Sequence, residues 1–154
     1  MKKDTSNKLD IYKLKTSEEL LKYYQGWADN NKYNKDMVDW NYIAPQEVVS
    51  ILKKYALNKN FKILDAGCGT GLVGVELKKY GYLNIEGVDF SQSMLDLVPQ
   101  NIYRKIEKID LNKSLKFKDD MYDIVMCVGT FTYGHVKPKA LDELIRITKN
   151  MGLI

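Results

Sequence analysis

The chain has 154 residues, of which 45% are hydrophobic and 29% charged, with a formal net charge of +4. That length is typical of one domain, and the composition excludes a disordered or fibrous chain. The longest apolar run, residues 124–128, is too short to cross a bilayer, and the basic start lacks the apolar core of a signal peptide. We therefore expect a cytoplasmic globular domain with no membrane partner.

Only two of the 24 basic residues, Arg104 and Arg146, are arginine. Because nucleic-acid readers depend on arginine for forked contacts with phosphate and guanine, this lysine-rich composition argues against a nucleic-acid partner. Two cysteines, Cys68 and Cys127, and a single histidine offer neither a disulfide framework nor the ligand spacing of a zinc site. The sequence therefore predicts no metal.

Two helices are predicted before residue 58. Thr16, followed three residues later by Glu19, fits a capping box and opens a helix to about residue 27. Polar residues 29–34 then break the pattern. A second helix is predicted over 45–57, with an apolar stripe at helical spacing that consists of Val48, Ile51, Leu52 and Tyr55.

From residue 61 onward the pattern alternates between strand and helix. Strands are predicted over 61–66, 84–89, 102–109 and 121–128, and helices over 72–80, 91–97 and 137–148. The inward faces of two of these helices are predicted to carry Val73, Leu77 and Tyr80 and, later, Leu141, Leu144 and Ile145. This alternation predicts a parallel α/β sheet of the Rossmann-like kind, with any ligand outside the carboxyl ends of the strands.

A glycine-rich loop follows the first of these strands, with Gly67, Gly69 and Gly71 at alternate positions. Glycines let the backbone turn tightly and approach a ligand closely. Residues 69–74, with Asp89 twenty residues after Gly69, also satisfy the dinucleotide fingerprint. Asp65 would stand at the mouth of this loop, where its carboxylate repels a pyrophosphate and attracts a cation. The charge therefore favours S-adenosylmethionine over NAD, and a turn without any ligand is the remaining alternative.

The sequence resembles the class I S-adenosylmethionine-dependent methyltransferases, whose first motif is an apolar strand, an acidic residue and Gly-x-Gly-x-Gly. Residues 65–71 match it fully, and 87–91, 109–111 and 122–125 follow in the family's order. Short stretches at 42–45 and 133–136 are similar to the methyltransferase-like proteins named for the Williams–Beuren chromosomal region. The resemblance implies a methyltransferase with S-adenosylmethionine as its cofactor, and a non-catalytic binding module is the alternative.

The resemblance implies roles for individual residues. It places the glycine loop on the methionine part of the cofactor, Asp89 on the ribose hydroxyls and Asp110 on the adenine amino group. Asp89 could instead only cap the next helix, Asp110 could be an ordinary turn residue, and Cys68 is expected to be a small pocket liner rather than a nucleophile. The implied cofactor-binding residues are Asp65, Gly67, Cys68, Gly69, Thr70, Gly71, Asp89, Phe90, Met94, Asp110, Leu111, Val128 and Gly129.

On the acceptor side, His135 is the candidate general base, because it follows the fourth strand and titrates near neutrality. A loop histidine that satisfies backbone groups is the alternative. The implied acceptor contacts are Thr130, Tyr133, Tyr24 and Trp27. Sequence patterns typical of base, glutamine, arginine and cytosine methylation are missing, which leaves a small molecule or another protein side chain as the acceptor.

The sequence divides into an N-terminal helical segment, 1–59, and a cofactor-binding domain, 60–154. In similar proteins the first segment folds over the cofactor as a lid, and helices packed on one edge of the sheet are the alternative. Residues 149–152 depart from the Lys-Pro-Gly-Gly that is usual in the family. We expect an incomplete sheet, with strands one to four and the start of the fifth of the family's seven, and therefore a truncated chain.

Overall fold

A computed structural model describes residues 13–14, 16–132 and 135–154. Its centre is a five-stranded sheet in the order β3-β2-β1-β4-β5, and every neighbouring pair of strands is parallel. The strands are β1 (Ile63–Ala66), β2 (Ile85–Asp89), β3 (Lys105–Lys108), β4 (Tyr122–Met126) and β5 (Thr148–Leu153). The predicted parallel α/β fold is confirmed. Because β1 is flanked by β2 and β4, the strand order reverses there and opens a crevice at the carboxyl ends.

Six α-helices flank the strands in the part of the chain that the structure describes. They are α1 (Ser17–Ala28), α2 (Lys32–Asp39), α3 (Ala44–Tyr55), α4 (Leu72–Lys79), α5 (Gln92–Leu95) and α6 (Ala140–Ile147). The capping box at the start of α1 is confirmed, since Thr16 Oγ1 accepts from the Glu19 amide at 3.1 Å and Glu19 Oε2 accepts from the Thr16 amide at 3.1 Å.

Helix α2 was not predicted from the sequence. The predicted break over 29–34 is confined to a short 3-10 turn, Asp29–Asn31, in which Asn30 and Asn31 both have positive φ (54° and 56°). Asparagine tolerates this left-handed backbone better than most residues, so two of them reverse the chain and let a new helix begin at once. The result is a helical N-terminal segment folded back over the sheet.

The three central strands of the sheet, β1, β2 and β4, are covered on both faces, as is usual for parallel strands. On one face Val49 and Leu52 of α3 pack with Leu77 of α4 against Ile63 and Ile124. On the other face Leu64, Val88 and Val125 pack against Ala140, Leu144 and Ile147 of α6. Because α3 packs on one face of the sheet, it belongs to the core. Only the part of the N-terminal segment before Ala44 is therefore available to cover a ligand.

The apolar stripes predicted for three helices match the buried faces only in part. In α3, Val49 and Leu52 are buried, whereas Ile51 and Tyr55 are 54% and 70% exposed. Leu141 and Ile145 of α6 and Tyr80, which follows α4, are also exposed, although Leu144, Val73 and Leu77 are buried as expected. Two adjacent stripes of one helix both fit a 3.6-residue period, and only the position of the sheet selects between them.

The fifth strand is longer than the sequence analysis predicted. It starts at Thr148, which had been assigned to the preceding helix, and pairs with β4 through Tyr122 with Thr148 and Ile124 with Leu153. A bulge interrupts this pairing, and Met151 has a φ of 63°. The Thr148 hydroxyl donates to the carbonyl of Leu144 at 2.7 Å, which closes the end of α6. Among the described residues, none of the helices combines the length and apolar character needed to cross a membrane.

Candidate functional site

The glycine loop connects β1 to α4 and is fastened to the end of β2. The amides of Gly67 and Cys68 both donate to the Val88 carbonyl, at 2.8 and 2.9 Å. Gly67, Gly69 and Gly71 have φ values of 80°, 53° and 87°, which side chains rarely adopt. A Cβ at Gly69 would meet no atom within 4 Å, so this residue presents bare backbone to open space. The loop therefore has the shape of a cradle for a ligand.

A cavity of about 120 Å³, which we call the strand-end cavity, lies beside this loop at the carboxyl ends of the strands. Its wall contains nine of the residues predicted to hold a cofactor, from the loop and from the segments after β2, β3 and β4. They are Gly67, Gly69, Asp89, Phe90, Met94, Asp110, Leu111, Val128 and Gly129. Topology alone brings these distant segments together, because parallel strands end at the same edge of a sheet.

Asp89 ends β2, and its carboxylate holds the loop as well as lining the cavity. Oδ2 accepts from the Gly69 amide and Oδ1 from the Ser91 amide, each at 2.8 Å. Burial raises the pKa of Asp89, while the two amides oppose that shift. Each carboxylate oxygen can accept a second hydrogen bond. The cap and the ligand contact, which the sequence analysis treated as alternatives, are therefore compatible.

Asp110 combines a turn with a place in the cavity wall in the same way. Its Oδ1 accepts from the Asn112 amide at 2.9 Å, which is the turn geometry expected as the alternative. The residue also lines the strand-end cavity together with Leu111 and Asn112. Asn112 was not predicted; its side chain fastens the following loop by donating to the His135 carbonyl at 2.9 Å and accepting from the Lys137 amide at 2.7 Å.

Asp65 lies under the loop and not at its mouth, so the predicted placement was wrong. The residue is only 1% exposed, is absent from the cavity wall and accepts a hydrogen bond from the Tyr103 hydroxyl at 2.6 Å. Burial raises the pKa of Asp65 to about 7, although the Tyr103 hydroxyl lowers it, and the charge on Asp89 adds to the rise. No pattern in the sequence indicates that Tyr103 would occupy this position.

We expect the buried Asp65 carboxylate to make stability depend on pH. Because its pKa is raised to about 7 in the folded chain, the fold favours the protonated form, and this stabilisation is lost as the pH rises through 7. Between about pH 6 and about pH 8 the loss is about 1.4 kcal/mol. Urea unfolding of the wild type and of Asp65→Asn at both pH values measures it as the difference between the two proteins. Identical pH dependences would contradict the assignment.

Three more predicted cofactor residues, Cys68, Thr70 and Gly71, lie behind the cavity wall. Burial, followed by the charges on Asp65 and Asp89, raises the pKa of the Cys68 thiol, which stays protonated. The Thr70 hydroxyl donates to Asn34 Oδ1 of α2 at 2.6 Å, a contact that the sequence did not indicate. Gly71 supports the loop from below, since a Cβ there would lie 3.2 Å from Val98 Cγ1.

The wall of the strand-end cavity is acidic. Asp89 and Asp110 contribute carboxylates, Asp65 lies just behind, and none of the lining residues that the structure describes is a lysine or arginine. A pyrophosphate would meet repulsion from Asp89 and Asp110 here, because Lys113, whose Nζ lies 3.9 Å from Asp110 Oδ2, is outside the wall. The repulsion of a pyrophosphate that was predicted for Asp65 is therefore expected here from Asp89 and Asp110 instead.

A second cavity, of about 630 Å³, adjoins the first, and we call it the aromatic chamber. The predicted contacts Tyr24 and Trp27 line it, and Tyr24 also lines the strand-end cavity. Met37 and Trp40, from α2 and the residue after it, complete one side, which is why missing α2 concealed the chamber. Thus α1 and α2 form the outer wall of both cavities.

His135 lines both cavities, as a base between cofactor and acceptor would have to. Its Nδ1 atom lies 2.6 Å from the Thr132 hydroxyl oxygen, and its ring meets Tyr24 edge to face with centroids 5.8 Å apart. Thr130 lines the strand-end cavity and closely approaches Gly67, where a Cβ would lie 2.4 Å from Thr130 Oγ1. Tyr133, also predicted to contact the acceptor, is outside the described residues.

Comparisons with known proteins give one consistent class. A protein-family profile described as a methyltransferase domain matches residues 63–152. Human methyltransferase-like protein 27 is 33% identical over 138 residues, which cover 87% of this chain and 55% of that protein. An S-adenosylmethionine-dependent methyltransferase of Methanococcus maripaludis superposes with a TM-score of 0.63 at 20% identity, covering 88% of this chain and 60% of that one. A methyltransferase of Haloferax volcanii, solved in complex with the methyltransferase activator Trm112, superposes with a TM-score of 0.67 at 24% identity, covering 84% and 57%.

The chain belongs to the methyltransferase domain family, among the class I S-adenosylmethionine-dependent methyltransferases. The resemblance stated from the motifs is thereby confirmed, and S-adenosylmethionine is the cofactor that this membership implies. The chain spans 55–60% of the length of the relatives named above. Among the described residues, no group of three or more histidine, cysteine or acidic side chains could hold a metal ion.

Proposed function

We propose that this protein transfers a methyl group from S-adenosylmethionine to an acceptor held in the aromatic chamber. The observation that supports the proposal most strongly is the acidic wall of the strand-end cavity next to the bare backbone of Gly69. S-adenosylmethionine carries an ammonium and a sulfonium, and both are attracted by carboxylates that would repel a pyrophosphate.

The residues present fit this cofactor. Asp89 would accept from its ribose hydroxyls, since the residue lines the cavity and its carboxylate oxygens can accept further hydrogen bonds beside those from the Gly69 and Ser91 amides. Phe90 and Met94 offer apolar contact for the adenine, and Asp110 can accept from its amino group. Gly69 leaves room for the methionine part, because it carries no side chain and a Cβ there would meet nothing within 4 Å, and Gly129 lines the same cavity. Asp65 would act on this part from beneath the loop in its ionised form, which a cationic ligand favours.

The cofactor supplies a methyl group already activated by the sulfonium, so the protein must mainly align the acceptor and exclude water. Alignment of this kind can remove about 7–11 kcal/mol from a barrier. His135 would take the proton that the acceptor releases. Nδ1 lies within hydrogen-bond distance of the Thr132 hydroxyl, which would help to orient the ring. Thr130, at the end of the loop after β4, would contact the acceptor.

We also propose that α1 and α2 close over the cofactor as a lid. Leu20 and Tyr24 of α1 and Tyr33 of α2 line the strand-end cavity from above, and Asn34 of α2 is bonded to Thr70 in the glycine loop. Burial raises the pKa of the Tyr33 phenol, which therefore remains a neutral donor beside Asp89. Such a cover would keep water away from the sulfonium.

Calorimetric titration with S-adenosylhomocysteine and, separately, with NADH tests the cofactor. We expect heat from the first titration and none from the second, because only the first ligand lacks a pyrophosphate. Binding of NADH alone would overturn the proposal. Incubation of the protein and cell extract with radiolabelled S-adenosylmethionine tests the transfer, and a labelled product is expected. Binding without any labelled product would instead indicate a non-catalytic module.

A further inference from the structure

The aromatic chamber and the strand-end cavity share part of their walls. Tyr24, Tyr33, Tyr42, Gly129 and His135 line both of them. At this shared boundary a Cβ on Gly129 would lie 2.6 Å from the Tyr42 hydroxyl, so only a glycine lets the two segments approach so closely. A molecule in the chamber would therefore lie next to a molecule in the strand-end cavity.

Five of the twelve described residues that line the chamber are tyrosine or tryptophan, and His135 adds a sixth ring. Trp27 lies at the centre of the group, stacked on Tyr24 with an interplanar angle of 17° and edge to face with Tyr33 at 4.8 Å between centroids. Trp40 is tilted against Trp27 at 5.7 Å. Rings held at such different angles offer both faces and edges, which are the contacts that another aromatic ring prefers.

Charged side chains are missing from this wall. None of the chamber-lining residues in the described part of the chain is a lysine, arginine, aspartate or glutamate. The indole N–H of Trp27 donates to Asp36 Oδ2 at 2.7 Å, and Asp36 is itself paired with Lys32, so this carboxylate is neutralised outside the chamber. A carboxylate or phosphate on the acceptor would lose its hydration and gain no counterion, and an ammonium would gain ring faces but no carboxylate within this wall.

The acceptor atom needs a lone pair to form a bond to the methyl carbon. In this chamber the whole acceptor must also be uncharged when it binds. An alkylamine has a pKa near 10.4 and is therefore cationic at neutral pH, which a neighbouring sulfonium opposes. A phenol has a pKa near 10 and stays neutral until a base accepts its proton. His135 lies at the shared boundary, where it can accept that proton.

Resting on the proposed function, we propose that the aromatic chamber binds an uncharged aromatic small molecule and that its phenolic hydroxyl is the methylated group. The phenolic oxygen forms the new bond to the methyl carbon while the carbon–sulfur bond breaks. The electrons of that bond remain on sulfur, which becomes neutral, and the hydroxyl proton passes to His135. A protein side chain as acceptor is the competing outcome.

The chain provides a specific reporter for this site, since its two tryptophans, Trp27 and Trp40, both line the chamber. Tryptophan fluorescence is followed, with saturating S-adenosylhomocysteine, during titration with three ligands of matched shape: 4-phenylphenol, biphenyl-4-carboxylate and biphenyl-4-ylmethylammonium. We expect 4-phenylphenol to bind at least about tenfold tighter than either charged ligand, because only the neutral compound escapes the desolvation penalty. Equal or tighter binding of a charged ligand, or no binding of the phenol, would overturn the inference.

Two variants place the bound phenol. Trp40→Leu should weaken its binding at least about tenfold, while Tyr55→Leu, at an exposed tyrosine on α3 outside the chamber, should leave it unchanged. S-adenosylhomocysteine affinity, measured by calorimetry on each variant, shows that the fold is intact. It also separates the two proposals, because failure of this ligand to bind the wild type contradicts the proposed function. Phenol binding that Trp40→Leu leaves unchanged would contradict the chamber as its site.

Discussion

Replacement of Asp89 by alanine is expected to lower the affinity for S-adenosylhomocysteine at least about 100-fold. In the proposed binding mode its carboxylate would accept two charge-assisted hydrogen bonds from the ribose, each contributing about 1.5–3 kcal/mol. It also accepts from the amides of Gly69 and Ser91, so the substitution releases the loop that cradles the ligand. Both effects act in the same direction, and titration calorimetry measures their sum.

Two further variants show whether the loss comes from this site. Asp89→Asn keeps the shape and one amide acceptor but removes the charge, so its affinity should lie between those of the wild type and Asp89→Ala. Asp96→Ala removes a carboxylate that is exposed beyond α5 and should bind like the wild type. Wild-type affinity in Asp89→Ala would mean that the ribose is held elsewhere.

Gly74→Ala is expected to lower the free energy of unfolding by about 3 kcal/mol, although alanine is the better helix former. Gly74 lies in α4, and a Cβ there would be 2.5 Å from both Cζ and Oη of Tyr103 and 2.7 Å from Ile102 Cγ2. Overpacking of this kind costs about 1–3 kcal/mol. Displacing Tyr103 would also break its 2.6 Å bond to the buried Asp65 carboxylate.

Gly26→Ala is the matched control, because Gly26 lies in α1 and a Cβ there would meet nothing within 4 Å. This substitution should stabilise the protein by about 0.5–1 kcal/mol through helix propensity alone. Urea denaturation with unchanged m-values gives both free energies. If Gly74→Ala were as stable as Gly26→Ala, Tyr103 could not occupy the position described.

Nine of the residues predicted to hold the cofactor lie in one cavity wall, and they could be recognised in the sequence because they carry local signals. A glycine loop after a strand and acidic residues at the ends of β2 and after β3 are visible in short windows, and the parallel topology brings them together. The pairing of Asp65 with Tyr103, 38 residues apart, has no such signal. A ligand also explains only some of the glycines, since Gly71, Gly74 and Gly87 all make room for the Tyr103 side chain.

The aromatic chamber was harder to predict from the sequence, because it depends on how the N-terminal segment folds back. Residues 29–34 read as a loop, yet two left-handed asparagines use only Asp29–Asn31 and leave a helix from Lys32. Tyr24 and Trp27 were predicted to contact the acceptor. Only the reversal of the chain brings Trp27 and Trp40 together in the wall of the aromatic chamber. Tertiary packing, rather than helix periodicity, settles such arrangements.

The bond from Thr70 to Asn34 joins the glycine loop directly to α2. The same short helix carries Tyr33 into the strand-end cavity and Met37 into the aromatic chamber. A ligand that rigidifies the loop would thus also fix the helix and, through it, the space available to the acceptor. Such thermodynamic linkage is reciprocal, so each of the two molecules would help to retain the other until the reaction is over.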